Sequence, residues 1–197
     1  MALELVTAPA TEPLTIQEAR DHIRVESTVD DEEIDRLIQA SREWISGRDG
    51  WLGRQLITAT WDMTLDAFPA TDSIRLLLPP VQSITSISYV DINGATQTFS
   101  SANYSLSADL SVRPRVDLAY GASWPATRQV RDAVTIRYVA GYGNGVDVPA
   151  PIRSAMAILV GTWYENREAT VVGMAANEVP FSVEAMLAPY RIIDLFA

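Results

Sequence analysis

Cysteine and lysine are absent from this 197-residue chain, and histidine occurs once, at His22. Without cysteine there are no disulfides, no thiolate metal sites and no cysteine nucleophile. A single histidine argues against a zinc site built on several imidazoles and against a Ser-His-Asp triad. No apolar run approaches the roughly 18 residues of a membrane span. The first fifteen residues carry Glu4 and Glu12 where a signal or transit peptide would carry positive charge, so the expectation is a soluble protein made inside the cell. All 15 basic residues are Arg, set against 25 acidic ones for a net charge of −10. No basic run is present, and tight binding to a phosphate backbone needs clustered positive charge.

Glutamate is also missing from the middle of the chain. There are eleven, and none falls between Glu43 and Glu165. That interval is rich in Ser, Thr, Val and Ile, and all its acids are Asp. Glu favours helices, Asp favours turns and β-branched residues favour strands, so helical ends around a β middle are expected. Thr15 to Glu18 has the spacing of a capping box and predicts a helix running to about Val25. A second helix is predicted from the acidic run Asp30–Glu33, with Ile34, Leu37, Ile38, Ser41, Trp44 and Ile45 on one face. The run itself reads as a solvated first turn matched to the helix dipole. A third helix opens at Pro149 and carries the stripe Ile152, Ala155, Met156, Leu159, Val160 and Trp163. Between them, Ser83–Ile92 and Ala95–Phe99 flank Asn93-Gly94, the strongest short signal for a hairpin. Gly141 to Gly145 alternates glycines, but the spacing fits no phosphate loop and reads as a turn. The segment 169–180 reads as a loop, and Ser182 to Pro189 as two helical turns.

The residue inventory leaves carboxylate chemistry as the one enzymatic option. Asp62 and Asp66 beside Trp61 and Phe68 imitate a glycosidase pair, although solvent-facing Asp at strand ends is ordinary. The expectation is therefore no catalytic residue, no cofactor and no metal. The terminus is unusual instead: Tyr190, Ile192, Ile193, Leu195 and Phe196 surround Arg191 within the last eight residues. Large apolar side chains so near an end fold back onto the core or dock onto a partner.

The order of these stretches resembles the head-tail connector, or adaptor, proteins of long-tailed bacteriophages and phage-derived gene transfer agents. The matching stretches are Leu14–Arg20, Asp31–Ser46, Trp61–Pro69, Pro80–Tyr89 with Asp91 and Gly94, Trp124-Pro125, Val134–Gly143, Pro149–Arg153, Trp163–Glu168 and Leu187–Arg191. They cover nearly the whole chain in order, and none is specific alone. The resemblance implies an α+β fold, a small helical bundle with a β-rich insertion between the second and third main helices and an extended C-terminal tail. The expected parts are 1–54 for the N-terminal helices, 55–148 for the β insertion, 149–180 for the third helix and loop, and 181–197 for the docking segment. It implies a structural, non-enzymatic virion protein at the head-tail junction, a ring of about twelve copies. Its partners would be the portal protein, a tail-side stopper or neck protein, and further copies of itself. Double-stranded DNA would pass through the channel without sequence-specific binding, and no membrane is involved. Portal docking is expected of Tyr190, Arg191, Ile192, Ile193, Leu195 and Phe196. Contacts to a neighbouring subunit or ring are expected of Asn93, Gly94 and Trp124. The alternatives are a carbohydrate- or receptor-binding module of a phage particle and, behind it, a carboxylate-dependent glycan hydrolase.

Overall fold

The computed structural model describes residues 1–107, 112–166 and 180–192. The fold is mixed α+β, and the chain separates into two compact units. Residues 1–10 and 58–142 form a β unit; residues 11–57 and 143–197 form a helical unit.

The β unit holds β1 (Ala2–Thr7), β2 (Ala59–Leu65), β3 (Ser73–Arg75), β4 (Val81–Val90), β5 (Thr96–Phe99), β6 (Tyr104–Leu106), β7 (Arg115–Leu118) and β8 (Val134–Ala140). Five strands make an antiparallel sheet in the order β1-β2-β8-β4-β5, and β3-β7-β6 make a second. Strict alternation in β8 buries Val134, Ile136 and Tyr138 on one face and turns Thr135 and Arg137 to the other, as the period of two requires. Trp61, Met63, Ile87, Ile74, Leu76 and Val116 complete this core. Tyr138 is fully buried, and its hydroxyl donates to the Leu77 carbonyl at 3.0 Å; burial raises its pKa far above that of free tyrosine. At one end of the core Phe68 stacks on Trp124 at 4.9 Å, and Phe99 lies 5.3 Å from the same indole.

Strand β1, like the short β6, is an element the sequence reading did not contain. The burial pattern of β1 has one buried residue, Leu3, among exposed ones, because among the described strands it pairs with β2 alone. A strand of this kind leaves almost no hydrophobic alternation to read.

The helical unit packs α1 (Ile16–Ile23), α2 (Asp31–Ile45), α3 (Ala150–Glu165) and α4 (Phe181–Leu187) against one another. The capping box forms as its spacing predicts: Thr15 N–H donates to Glu18 Oε2 at 2.9 Å, and Glu18 N–H to Thr15 Oγ1 at 3.1 Å. Helix α1 stops at Ile23, short of Val25, because Arg24 takes a left-handed conformation. Ile34, Ile38, Ser41 and Ile45 are the buried face of α2; Ile152, Ala155, Met156, Leu159 and Val160 are that of α3. Helix α4 buries Val183 and Leu187 and is followed by a single 3-10 turn, Ala188–Tyr190. Most of the segment expected as a loop, 169–179, lies outside the described residues.

Glu18 also carries a pH dependence. The Thr15 backbone N–H, followed by the Arg153 guanidinium, lowers its pKa below the ordinary 4.5. A depressed carboxyl stabilises the fold above its unfolded pKa, and that contribution is lost as pH falls through the lower folded value. The helical unit should therefore lose melting temperature as pH falls below about 4.5, and Glu18→Gln should flatten that limb. A Glu18→Gln variant with an unchanged acid limb would show that other carboxyls carry it. Glu12 works in the opposite direction: burial pushes its carboxyl up, more than its 2.7 Å pair with Arg42 pulls it down.

Candidate assembly interface

The carboxylates that imitate a catalytic pair are held by structural partners. Asp62 faces Arg137 across the β2-β8 ladder, and its two oxygens accept from Nε and NH2 at 2.8 and 2.7 Å. Asp66 accepts the Asp132 backbone N–H at 3.0 Å. The bidentate pair holds Arg137 above its ordinary pKa and ties both Asp62 oxygens to a structural partner. Among the described residues no group of three His, Cys, Asp or Glu side chains could hold a metal ion. His22 lines a shallow groove of about 290 Å³ with Leu14, Glu18, Arg153, Ser154 and Ile158.

The acidic run at the start of α2 is partly paired. Asp30 accepts the Tyr164 hydroxyl at 2.6 Å, Asp31 lies 3.4 Å from Arg20, and Glu33 is 2.6 Å from Arg36. The charge is unevenly divided between the units. Residues of the helical unit include 17 acids and 9 arginines, net −8; those of the β unit include 8 and 6, net −2.

The described part of the C-terminal segment lies against the loop that follows α2. This loop is a tied platform. Trp51 and Leu52 N–H groups donate to Trp44 and Ile45 carbonyls at 2.9 and 3.1 Å, and Ser46 Oγ accepts from Leu56 N–H at 3.0 Å. Against it, Arg54 Nε donates to the Tyr190 carbonyl, and Ile192 N–H donates to the Leu52 carbonyl at 2.9 Å. The Arg191 guanidinium sits 4.3 Å above the Trp51 ring, which stacks on Trp44 at 6.2 Å. Tyr190, Arg191 and Ile192 are thus brought together on one clip. Ile193, Leu195 and Phe196 lie outside the described residues.

The other expected contact residues are separated. Asn93 and Gly94 sit at an exposed turn, where Asp91 Oδ1 accepts from the Asn93 and Ala95 N–H groups at 2.9 Å each. Those bonds lower the Asp91 pKa, the Ala95 one most. Trp124 is half-buried in its own unit, and its Nε1 donates to the Thr71 carbonyl at 2.9 Å. The sequence reading missed the platform, Trp51 to Gln55. The buried Arg54 and Gln55 there carry no signal in a linear pattern, because their partners are distant or backbone.

A family model described as "Head completion protein" matches residues 12–193. Three solved structures are similar over 100% of this chain and 98% of theirs. The neck of an empty GTA particle, computed with C6 symmetry, gives 27% identity and a TM-score of 0.80. The virion of a native gene transfer agent (GTA) particle gives 26% and 0.79. The neck of a native GTA particle, computed with C12 symmetry, gives 25% and 0.73. No individually curated protein matches the sequence.

Proposed function

The chain belongs to the head completion protein family, and from that premise we propose that it forms a ring that joins the portal to the tail-side neck protein and continues the DNA channel. It is a structural neck protein of phage-like particles, at the head-tail junction, and not an enzyme. The observation that carries the finer reading is the end-to-end similarity to chains from GTA necks, one of them computed with C12 symmetry. A ring of about twelve copies agrees with that symmetry, since closed cyclic assemblies repeat one interface around an axis. The C-terminal segment, Tyr190 to Phe196, is the portal-docking end in this reading. Asn93 and Gly94, at the exposed turn, and the half-buried Trp124 are candidates for contact with a neighbouring subunit or the next ring.

Imaging particles with and without the chain tests the reading. The expected result is a ring of density below the portal that vanishes when the gene is removed, together with loss of attached tails. Density at the tail tip or periphery would favour the receptor-binding alternative and overturn the adaptor reading.

The charge division supports a second expectation. With net −8 on each helical unit, a channel wall built from those units would be acidic, and a polyanion would slide along it instead of adhering. The purified chain should not retard duplex DNA even at low salt, where any attraction would be strongest. A lumen mapped as mainly Arg-lined would sink this expectation.

A further inference from the structure

The turn at 91–95 is held against a second segment of the β unit. Asp91 forms an antiparallel bridge with Thr127, and Arg128 N–H donates to the Val90 carbonyl at 3.0 Å. The turn is closed by Asp91 N–H on the Ala95 carbonyl and by Gly94 N–H on the Asp91 carbonyl, at 2.9 Å each. A Cβ on Gly94, whose φ is +92, would collide with Arg128 Nη1. The guanidinium therefore lies on the bare backbone of the turn, in a place only glycine leaves open. Arg128 and Arg131 are both exposed, and neither forms an ion pair among the described residues. The acids beside them are engaged within the same unit. The Asp91 carboxylate accepts from Asn93, Ala95 and Gln97, and Asp132 Oδ1 accepts from Thr64 Oγ1 at 2.6 Å. Ile92, 68% exposed, and Val130, 41% exposed, belong to the same two segments. Exposed aliphatics next to arginines on a pre-formed turn have the make-up of a protein-binding anchor. Two carboxylates beside two arginines leave no net positive charge, which does not suit a phosphate backbone.

We propose that this tip seats on the loop between α1 and α2 of a second copy of the same chain. The inference rests on the ring reading above and names the surface that the 91–95 turn meets. A cyclic ring repeats a contact between two different surfaces of one chain, so the tip needs a complement elsewhere on the same molecule. The helical unit, net −8 against −2 for the β unit, carries charge of the right sign. Within it, residues 24–33 hold Glu26, Asp30, Asp31, Glu32 and Glu33 against Arg24 alone. Asp30, Asp31 and Glu33 are engaged by Tyr164, Arg20 and Arg36. Glu26 and Glu32 are exposed and form no ion pair among the described residues. Between them in the chain stands Val29, 86% exposed, its N–H donating to Ser27 Oγ at 3.2 Å. An exposed aliphatic between two unpaired carboxylates is the counterpart of an exposed aliphatic beside two unpaired guanidiniums. Ile92 then packs on Val29, and Arg128 and Arg131 meet Glu26 and Glu32.

A charge swap tests the pairing. Arg128→Glu with Arg131→Glu sets like charges face to face at every interface of the ring, and should lower the yield of ring-bearing particles about tenfold or more. Glu26→Arg with Glu32→Arg should do the same, and the four changes together should restore assembly. All four side chains are exposed, so each free chain should melt within a few degrees of the parent. The lack of cysteine allows a second measurement without any charge change. Particles carrying Val29→Cys with Ile92→Cys, treated with a short bis-maleimide, should give a ladder of chain multimers up to the ring number, and each single variant should not. Where a swapped chain fails to fold, the ladder alone decides. A folded Arg128→Glu, Arg131→Glu chain that assembles normally overturns the inference. So does a loss that the combined swap fails to rescue in a folded chain, an intact ring without the ladder, dimers from Ile92→Cys alone, or cross-links to a different neck protein. Particles in which imaging finds no ring of the unmodified chain count against the ring reading itself, which distinguishes that case.

Discussion

Removing residues 193–197 should leave a folded, soluble chain that no longer joins the portal. The deletion takes away Ile193, Leu195 and Phe196. Burying a side chain of this size at an interface is worth about 1.5–3 kcal/mol. Three of them account for several kcal/mol, or about a hundredfold or more in affinity. None of the bonds that hold the preceding residues is touched: Arg54 still reaches the Tyr190 carbonyl, Ile192 still donates to Leu52, and Arg191 still covers Trp51. Melting temperature and portal pull-down, measured on the same preparation, separate the two roles. A melting temperature that collapses with the deletion would assign these side chains to the protein's own core. The longer deletion, 191–197, also removes the cation–π contact and two backbone hydrogen bonds, from Arg191 N–H to Ala188 and from Ile192 N–H to Leu52, and should cost about 1–3 kcal/mol of stability in addition.

Gly50→Ala should be among the most damaging single substitutions in the helical unit. A Cβ at position 50 would stand 2.5 Å from the carbonyl carbon and oxygen of Ser46 and 2.6 Å from its nitrogen. These are backbone atoms at the C-cap of α2, so nothing can rotate aside. The helix end or the platform must shift, at a cost of about 2–4 kcal/mol. For a unit of this size the melting temperature falls by on the order of 10 °C or more. Gly53→Ala is the milder companion. Position 53 has φ +62, and a Cβ there would approach the Ile192 carbonyl oxygen to 3.2 Å. The left-handed backbone costs an L-residue about 1 kcal/mol, and the close approach pushes on the clip alone. Trp51 fluorescence should change as Arg191 lifts, with a smaller fall in melting temperature than Gly50→Ala gives. Equal melting of Gly50→Ala and the parent would refute the steric argument.

Most of the helical unit was legible because its signals are local. The capping box at Thr15, the acidic first turn of α2 and the apolar stripes of α2 and α3 each lie within a few turns of chain, where spacing maps directly onto a face. The Asn93-Gly94 turn was legible for the same reason: its bonds run to Asp91, two to four residues away. The candidate interface was legible only in part. An apolar terminus announces that it needs covering, yet nothing in its sequence says that Tyr190 to Ile192 lie on the loop after α2. Arg54 and Tyr190 are 136 residues apart, and no periodicity links them.

By itself the sequence determined the exclusions, the helical ends around a β middle, and the family, through an ordered set of weak motifs spread along the chain. Composition and short-range spacing fix these, because they depend on residue chemistry and on repeats of two or 3.6. Tertiary structure alone decided that residues 2–7 form the first strand of the sheet, that Asp62 belongs to Arg137, and that β5 is the last described strand of the sheet on its side. Each depends on which distant segment the backbone pairs with. In a sheet that choice is made by non-local hydrogen bonds between groups that every residue carries alike, so the side-chain sequence records it only faintly.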